Sequence, residues 1–167
     1  QVPGYPSSPV GYVDADVYEA ARAFAGWRVR DGMWPYDAAV QKDNGSYYFY
    51  PDWHDRFQKT VLGRFLAADP AVDDHGRQVL DLIAYHPGTA RFICRKLIRR
   101  FITDNPSQAL VDSAAAVFTA NATAPNQIAL VLRHILLSDD FKTTWGMKFK
   151  RPFEYAMGLL RSTRASV

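Results

Sequence analysis

From Asp73 to Arg161 the apolar residues return every three or four positions, and the runs are separated by proline, asparagine or aspartate where helix ends belong. That spacing commits more than half of the 167 residues to amphipathic helices and leaves little chain for anything else. "DDHGRQVLDLIAYH" opens on capping aspartates, and Pro87 breaks the chain before a second helix, "PGTARFICRKLIRRFI". Asn105 reads as the next cap with Pro106 at the first helical position, followed by the stripe Leu110, Ala114, Val117 and Phe118. Thr123 with Pro125 starts a helix carrying Ile128, Val131, Leu132, Ile135 and Leu136. Pro152 opens the last, with Phe153, Ala156, Met157 and Leu160. No fixed period links these helices, which argues against a solenoid.

The N-terminal part differs. "QVPGYPSSPV" (1–10), with three prolines, reads as a linker without the regions of a signal peptide. Asp14 is placed to cap a helix through "DADVYEAARAFAG", with Gly26 as its stop. "WRVR" then alternates like a short strand. Asn44-Gly45 is a hairpin signal ahead of the β-prone "SYYFY", and "KTVLG" reads as a further strand ending at Gly63. The expectation is a mainly α fold: an irregular helical domain of about six helices with a small β-hairpin insert, roughly 27–63. It occupies 11–167 as a single domain, a fragment of a longer protein.

Bulk properties bound the function classes. Hydrophobic residues make up 48% and charged residues 22%, as in a globular domain, and no apolar run reaches the roughly 18 residues of a membrane span. The net charge of +3 is small for a nucleic-acid specialist, and no zinc-finger or RNP pattern occurs, so no nucleic acid is expected as partner. The single cysteine, Cys94, permits no disulfide within the chain and lies on an apolar helical arc, where it reads as core. Only two glutamates, Glu19 and Glu154, stand among the seventeen acidic residues.

The densest charge lies in the helix after Pro87. Arg91, Arg95, Lys96, Arg99 and Arg100 fall on one half of its circumference and Ile93, Cys94, Leu97, Ile98, Phe101 and Ile102 on the other. One reading is a solvated polar face. Another starts from the mutual repulsion of five cations without an intervening acid. They then require carboxylates from elsewhere, with Arg91 and Lys96 the first to pair with Glu19, Glu154 or an aspartate, or else an anionic ligand. Arg91, Arg95 and Lys96 are the candidate binding cations.

"YPDWHDRFQKTVLG" is the most function-like stretch. Asp52, His54 and Asp55 beside Trp53 suit a general base oriented by a carboxylate, and equally suit a loop closed by turn hydrogen bonds. His54, His75, His86 and His134 are scattered, with no HExxH or CxxC pattern, so no metal is expected. GxSxG, P-loop and GxGxxG signatures are absent, and no cofactor is expected. Trp34, Tyr48 and Trp53, in a dense aromatic set flanked by aspartates, suit stacking on a sugar ring and equally suit the insert's own small core.

Five blocks occur in order: "GYVDADVYEAARAFAGWRV", "HDRFQKTVLG", "VLDLIAYHPGTARFICRKLIRRF", "LRHILLSDDF" and "KFKRPFEYAMGLLR". Together they resemble the C-terminal part of the bacterial domain-of-unknown-function 1800 family, from Gly11 to Arg161. The family positions they carry are Arg22, Gly26 and Trp27; His54, Asp55, Lys59 and Gly63; His86, Pro87, Arg91, Arg95 and Lys96; Pro152 and Glu154. Arg151 departs from the small polar residue usual before that proline. The resemblance implies a secreted or periplasmic setting, a longer protein whose N-terminal half is the first partner, and no reaction that can be carried over. Three roles stay open: a structural or interaction part of a larger extracellular assembly, half of a glycan-active hydrolase using His54, Asp55 and Asp52, or a carbohydrate-binding module. Alternative partners are a glycan or another secreted protein.

Overall fold

The computed structural model describes residues 11–32, 43–68 and 74–163. They contain seven α-helices and two small antiparallel hairpins, so the fold is mainly α with a small β insert. The chain divides into two compact units at His86/Pro87.

In the first unit α1 (Asp14–Ala23) packs on strand β3 and on α2 (Asp74–Ala84). Asp14 is the first helical residue rather than the expected cap. The carboxylate that turns back is Asp16, whose Oδ2 accepts from the Val13 N–H at 2.8 Å. The helix ends earlier than the expected stop, at Ala23 with Phe24 as C-cap, and Gly26 at φ +90° closes the turn that follows. A Cβ there would lie 2.7 Å from the Tyr50 carbonyl, because the chain at Gly26 runs tightly along Tyr50, whose N–H donates to the Gly26 carbonyl.

β1 (Trp27–Val29) pairs with β2 (Tyr47–Phe49), Arg28 opposite Tyr48, and β3 (Lys59–Val61) pairs with β4 (Arg64–Leu66). These are two separate two-stranded sheets, where one sheet of two or three strands is expected from the sequence. The turn of the second is Leu62-Gly63, both with positive φ (50° and 75°), the geometry of a type I′ hairpin. A leucine in that region is strained. Asp16 holds it there, its Oδ1 accepting from the Leu62 N–H at 2.8 Å. Ala23, Val61, Leu66 and Val79 form the core of this unit.

The second unit is helical. α3 (Pro87–Phe101) packs on α4 (Gln108–Ala120), and α4 on α5 (Gln127–Leu136). Their shared core holds Ala90, Cys94, Ile98 and Ile102 from α3, Leu110, Val111, Ala114 and Ala115 from α4, and Val131 and Ile135 from α5. The α3 periodicity is realised at Cys94, Ile98 and Ile102, with Cys94 fully buried, whereas Phe101, read on the same apolar half, is exposed near the end of the helix. Two helix starts shift. Ser107, not Asn105, caps α4, its Oγ accepting from Leu110 N–H at 3.2 Å, and Asn126 precedes α5 after residues 121–126 spend themselves in turns. The short α6 (Asp139–Thr143), capped by Ser138, falls between helices that the periodicity reveals. α7 (Pro152–Ser162) begins at Pro152 as expected and buries none of its residues.

Candidate functional site

The candidate acid/base residues follow a 3-10 turn, Pro51–Trp53, that delivers His54 from the surface into the first unit. His54 retains 9% of its exposure, Lys59 on β3 1%, and His75 in the first turn of α2 none. Carbonyl oxygens only accept, so the outer ring nitrogens of both histidines carry protons. His54 Nδ1–H donates to Ala25 at 2.9 Å and His75 Nε2–H to Ala67 at 2.6 Å. Their inner nitrogens, His54 Nε2 and His75 Nδ1, face each other at 3.1 Å. Lys59 Nζ reaches the same His75 nitrogen at 3.1 Å and donates to the carbonyls of Asp55 and Phe57 at 2.5 and 2.6 Å.

Charge balance comes from α1. Arg22 meets Asp55 with Nε to Oδ2 at 2.7 Å and Nη2 to Oδ1 at 3.2 Å, and donates through Nη1 to Glu19 at 2.7 Å. Asp55 Oδ1 also accepts from Phe57 N–H and lies 3.5 Å from Lys59 Nζ. Glu19 accepts from Thr60 N–H at 3.2 Å. The Arg22 guanidinium, helped by Phe57 N–H, holds the Asp55 carboxyl down to about 2, and Asp55 with Glu19 holds the Arg22 value up. Burial pushes the Lys59 ammonium below the ordinary lysine range, against the pull of Asp55. The result is a continuous polar chain, Glu19–Arg22–Asp55–Lys59–His75–His54, that ties α1, the 54–58 loop, β3 and α2 together.

Sequence reasoning treats the four histidines as scattered, but His54 and His75 touch. The contact joins residues 21 apart, and only the folding of β3 and β4 back over the loop brings them together. Among the described residues no group of three or more His, Cys, Asp or Glu side chains is placed to hold a metal. The histidine pair supplies two nitrogens, fewer than the three protein ligands of a catalytic zinc site, and a cationic lysine beside it opposes a second cation.

Asp52, Trp53 and Tyr48 make none of the contacts of this polar chain. Asp52 is exposed. Trp53 is half exposed, with Arg28 at 4.7 Å over its ring and Tyr50 edge-on at 5.4 Å; Tyr48 carries Arg30 at 5.2 Å. Trp34 lies outside the described residues.

On α3, Arg91 Nε pairs with Asp112 Oδ1 at 2.8 Å, Arg95 with Gln108 Oε1 at 2.7 Å, and Gln108 bridges to Asp112 at 3.1 Å, giving a ladder between α3 and α4. Arg91, then Gln108, holds the Asp112 carboxyl below its usual range. Arg100 pairs with Glu154 at the start of α7. Lys96 takes no carboxylate among the described residues; it lies 4.6 Å over the Phe92 ring, which explains a phenylalanine within the basic arc. The acid partner expected of Arg91 is therefore present, and the one expected of Lys96 is replaced by an aromatic face.

The structure thus defines a mainly α domain with a β insert and a partly buried ionic cluster where sequence reasoning placed acid/base chemistry. It belongs to the family described as protein of unknown function (DUF1800), whose model matches residues 7–167. No curated protein and no solved structure matches the chain. Glu19, Arg22, His54, Asp55 and Lys59 all fall in the blocks that carry the family resemblance, and they meet in the cluster with His75.

Proposed function

We propose that this chain is an interaction module of a larger protein or assembly, and that its acid-base cluster serves the fold rather than a reaction. The observation that carries this reading is the run of exposed apolar residues along the 145–149 loop and α7. Trp145, Phe149 and Phe153 are 92%, 84% and 75% exposed, with Met147, Tyr155 and Leu159 exposed beside them. Scattered exposed apolar residues are ordinary, but six within fifteen positions of one another are not. The cluster supports the same reading. His54 Nδ1 donates to the Ala25 carbonyl, its Nε2 is covered by His75 at 3.1 Å, and both carboxylate oxygens of Asp55 accept from Arg22, so a substrate has to displace a protein group to use them. From the family resemblance we place the module in a secreted or periplasmic bacterial protein, with the remainder of that protein as one partner.

The glycan readings keep one favourable observation, the half-exposed Trp53 next to exposed Asp52. Titrating oligosaccharides against the Trp53→Ala variant tests them: binding by the parent chain that this variant loses supports a sugar site.

The interaction reading is tested with an apolar dye, anilinonaphthalene sulfonate, on the folded chain. Dye uptake that falls in the Phe149→Ser/Phe153→Ser variant, with unchanged circular dichroism, supports it. A folded chain that takes up no dye contradicts it.

A further inference from the structure

The same stretch carries charge. Between residues 142 and 161 stand Lys142, Lys148, Lys150, Arg151 and Arg161 against the single acid Glu154. Glu154 is neutralised by Arg100, Lys148 pairs with Asp104 and Lys142 with Asp139. Lys150 and Arg151, just before α7, make no ion pair among the described residues. Resting on the interaction reading above, we infer that residues 145–161 dock on the surface of an anionic lipid bilayer.

Three features of the stretch select that partner. First, α7 is amphipathic. On a helical projection Tyr155, Leu159, Ala156, Leu160, Phe153 and Met157 span one broad arc, and Arg161, Glu154 and Ser162 lie on the other. No residue of this helix is buried, so its apolar arc is not consumed by the core. Second, the loop before it interleaves large apolar and cationic side chains, Trp145, Met147, Lys148, Phe149, Lys150 and Arg151, in seven positions. Aromatic rings that favour the headgroup boundary, with lysines and arginines whose stems reach along it, are the two signals that together hold a protein on a bilayer without crossing it. Third, the cations favour lipid over protein as the partner. Protein interfaces are depleted in lysine, whereas anionic headgroups attract each lysine or arginine that comes within a Debye length. Among the described residues no helix is long and apolar enough to span a membrane, so the attachment is peripheral.

The experiment is flotation of the whole chain with vesicles of phosphatidylcholine, with and without phosphatidylglycerol. The inference predicts flotation only with phosphatidylglycerol, reduced but not abolished as salt is raised to moderate levels. Lys150→Glu/Arg151→Glu should weaken it on the order of tenfold or more, from the loss of two favourable charges and the gain of two unfavourable ones. Phe149→Ser/Phe153→Ser should weaken it by a comparable factor while leaving circular dichroism unchanged, since both rings face solvent. Brominated acyl chains should quench the tryptophan emission, and Trp145→Phe should remove that quenching while the variant still floats.

Three results overturn it. Equal flotation with pure phosphatidylcholine removes the requirement for negative charge. Flotation unaffected by Phe149→Ser/Phe153→Ser, with no quenching, means a cationic surface that does not enter the interface. No flotation, in a chain that still takes up the apolar dye, rejects the bilayer while the interaction reading stands. Absence of dye uptake as well rejects both.

Discussion

His54 Nε2 lies 3.1 Å from His75 Nδ1, and the outer nitrogen of each ring donates to a backbone carbonyl. Each histidine is thereby fixed in orientation by one loop or turn and touches a partner brought in by another. Lys59 adds a third buried nitrogen, and its donors satisfy the carbonyls of Asp55 and Phe57. A group with so many protein partners is costly to remove, because each deletion strands the others in a place water does not reach.

Lys59 shows this most simply. Lys59→Met keeps the volume of the side chain and removes its three donors, leaving two carbonyls and the His75 nitrogen without them. The expected loss is about 2–4 kcal/mol, read by urea denaturation. A variant as stable as the parent contradicts the geometry of the cluster.

Acid should weaken the first unit through Asp55. Its folded value, about 2, lies below the ordinary 3.8, so the folded state favours the ionised form. The contribution is complete above the unfolded value, near pH 4, and is lost as pH falls from there through 2. Because Arg22 and Asp55 are partly exposed, solvent screening reduces it to about 1–2 kcal/mol. Asp55→Asn should remove this part of the acid dependence. Stability profiles of parent and variant that run parallel between pH 5 and about 2 sink the assignment.

Gly76 lets Trp27 lie on α2. A Cβ at position 76 would fall 2.5 Å from the indole ring, and α2 and β1 both hold their places through packing. Helix propensity alone would favour alanine there by about 1 kcal/mol. The close approach reverses the sign, and Gly76→Ala should destabilise by about 1–3 kcal/mol. A stabilised variant shows that Trp27 does not pack as described.

Cys94 is fully buried, and desolvation pushes its thiol up to about 11. Thiolate is the reactive form, so the native chain should resist an aromatic disulfide reagent at neutral pH and react fully on unfolding in guanidinium. Fast stoichiometric labelling of the native chain contradicts the core placement.

The helices were legible where a single turn of sequence carries both the stop and the stripe. Pro87 and Pro152 begin α3 and α7 as read, and the 3.6-residue spacing of Ala90, Cys94 and Ile98 places the core side of α3. Boundaries failed where two cap-like residues compete. Asn105-Pro106 looks like a helix start, but Ser107 has the hydroxyl at the right position for Leu110 N–H. The Leu62-Gly63 turn was invisible because leucine is no turn residue; it needs Asp16, 46 positions earlier, to hold it. The site followed the same division. His54 and Asp55 stood out as a local group, whereas their partners Arg22, Lys59 and His75 come from three other elements, a relationship fixed by tertiary packing.

The division between what holds the fold and what is free to bind is tested most directly by thermal melting of two variants beside the parent. His54→Ala leaves a cavity beside His75 and unpairs the Ala25 carbonyl, so its melting point should fall clearly, by an amount corresponding to about 2–4 kcal/mol. Phe149→Ser/Phe153→Ser should melt with the parent. A His54→Ala chain of unchanged stability, with a Phe149→Ser/Phe153→Ser chain that unfolds, would reverse the roles and contradict the account.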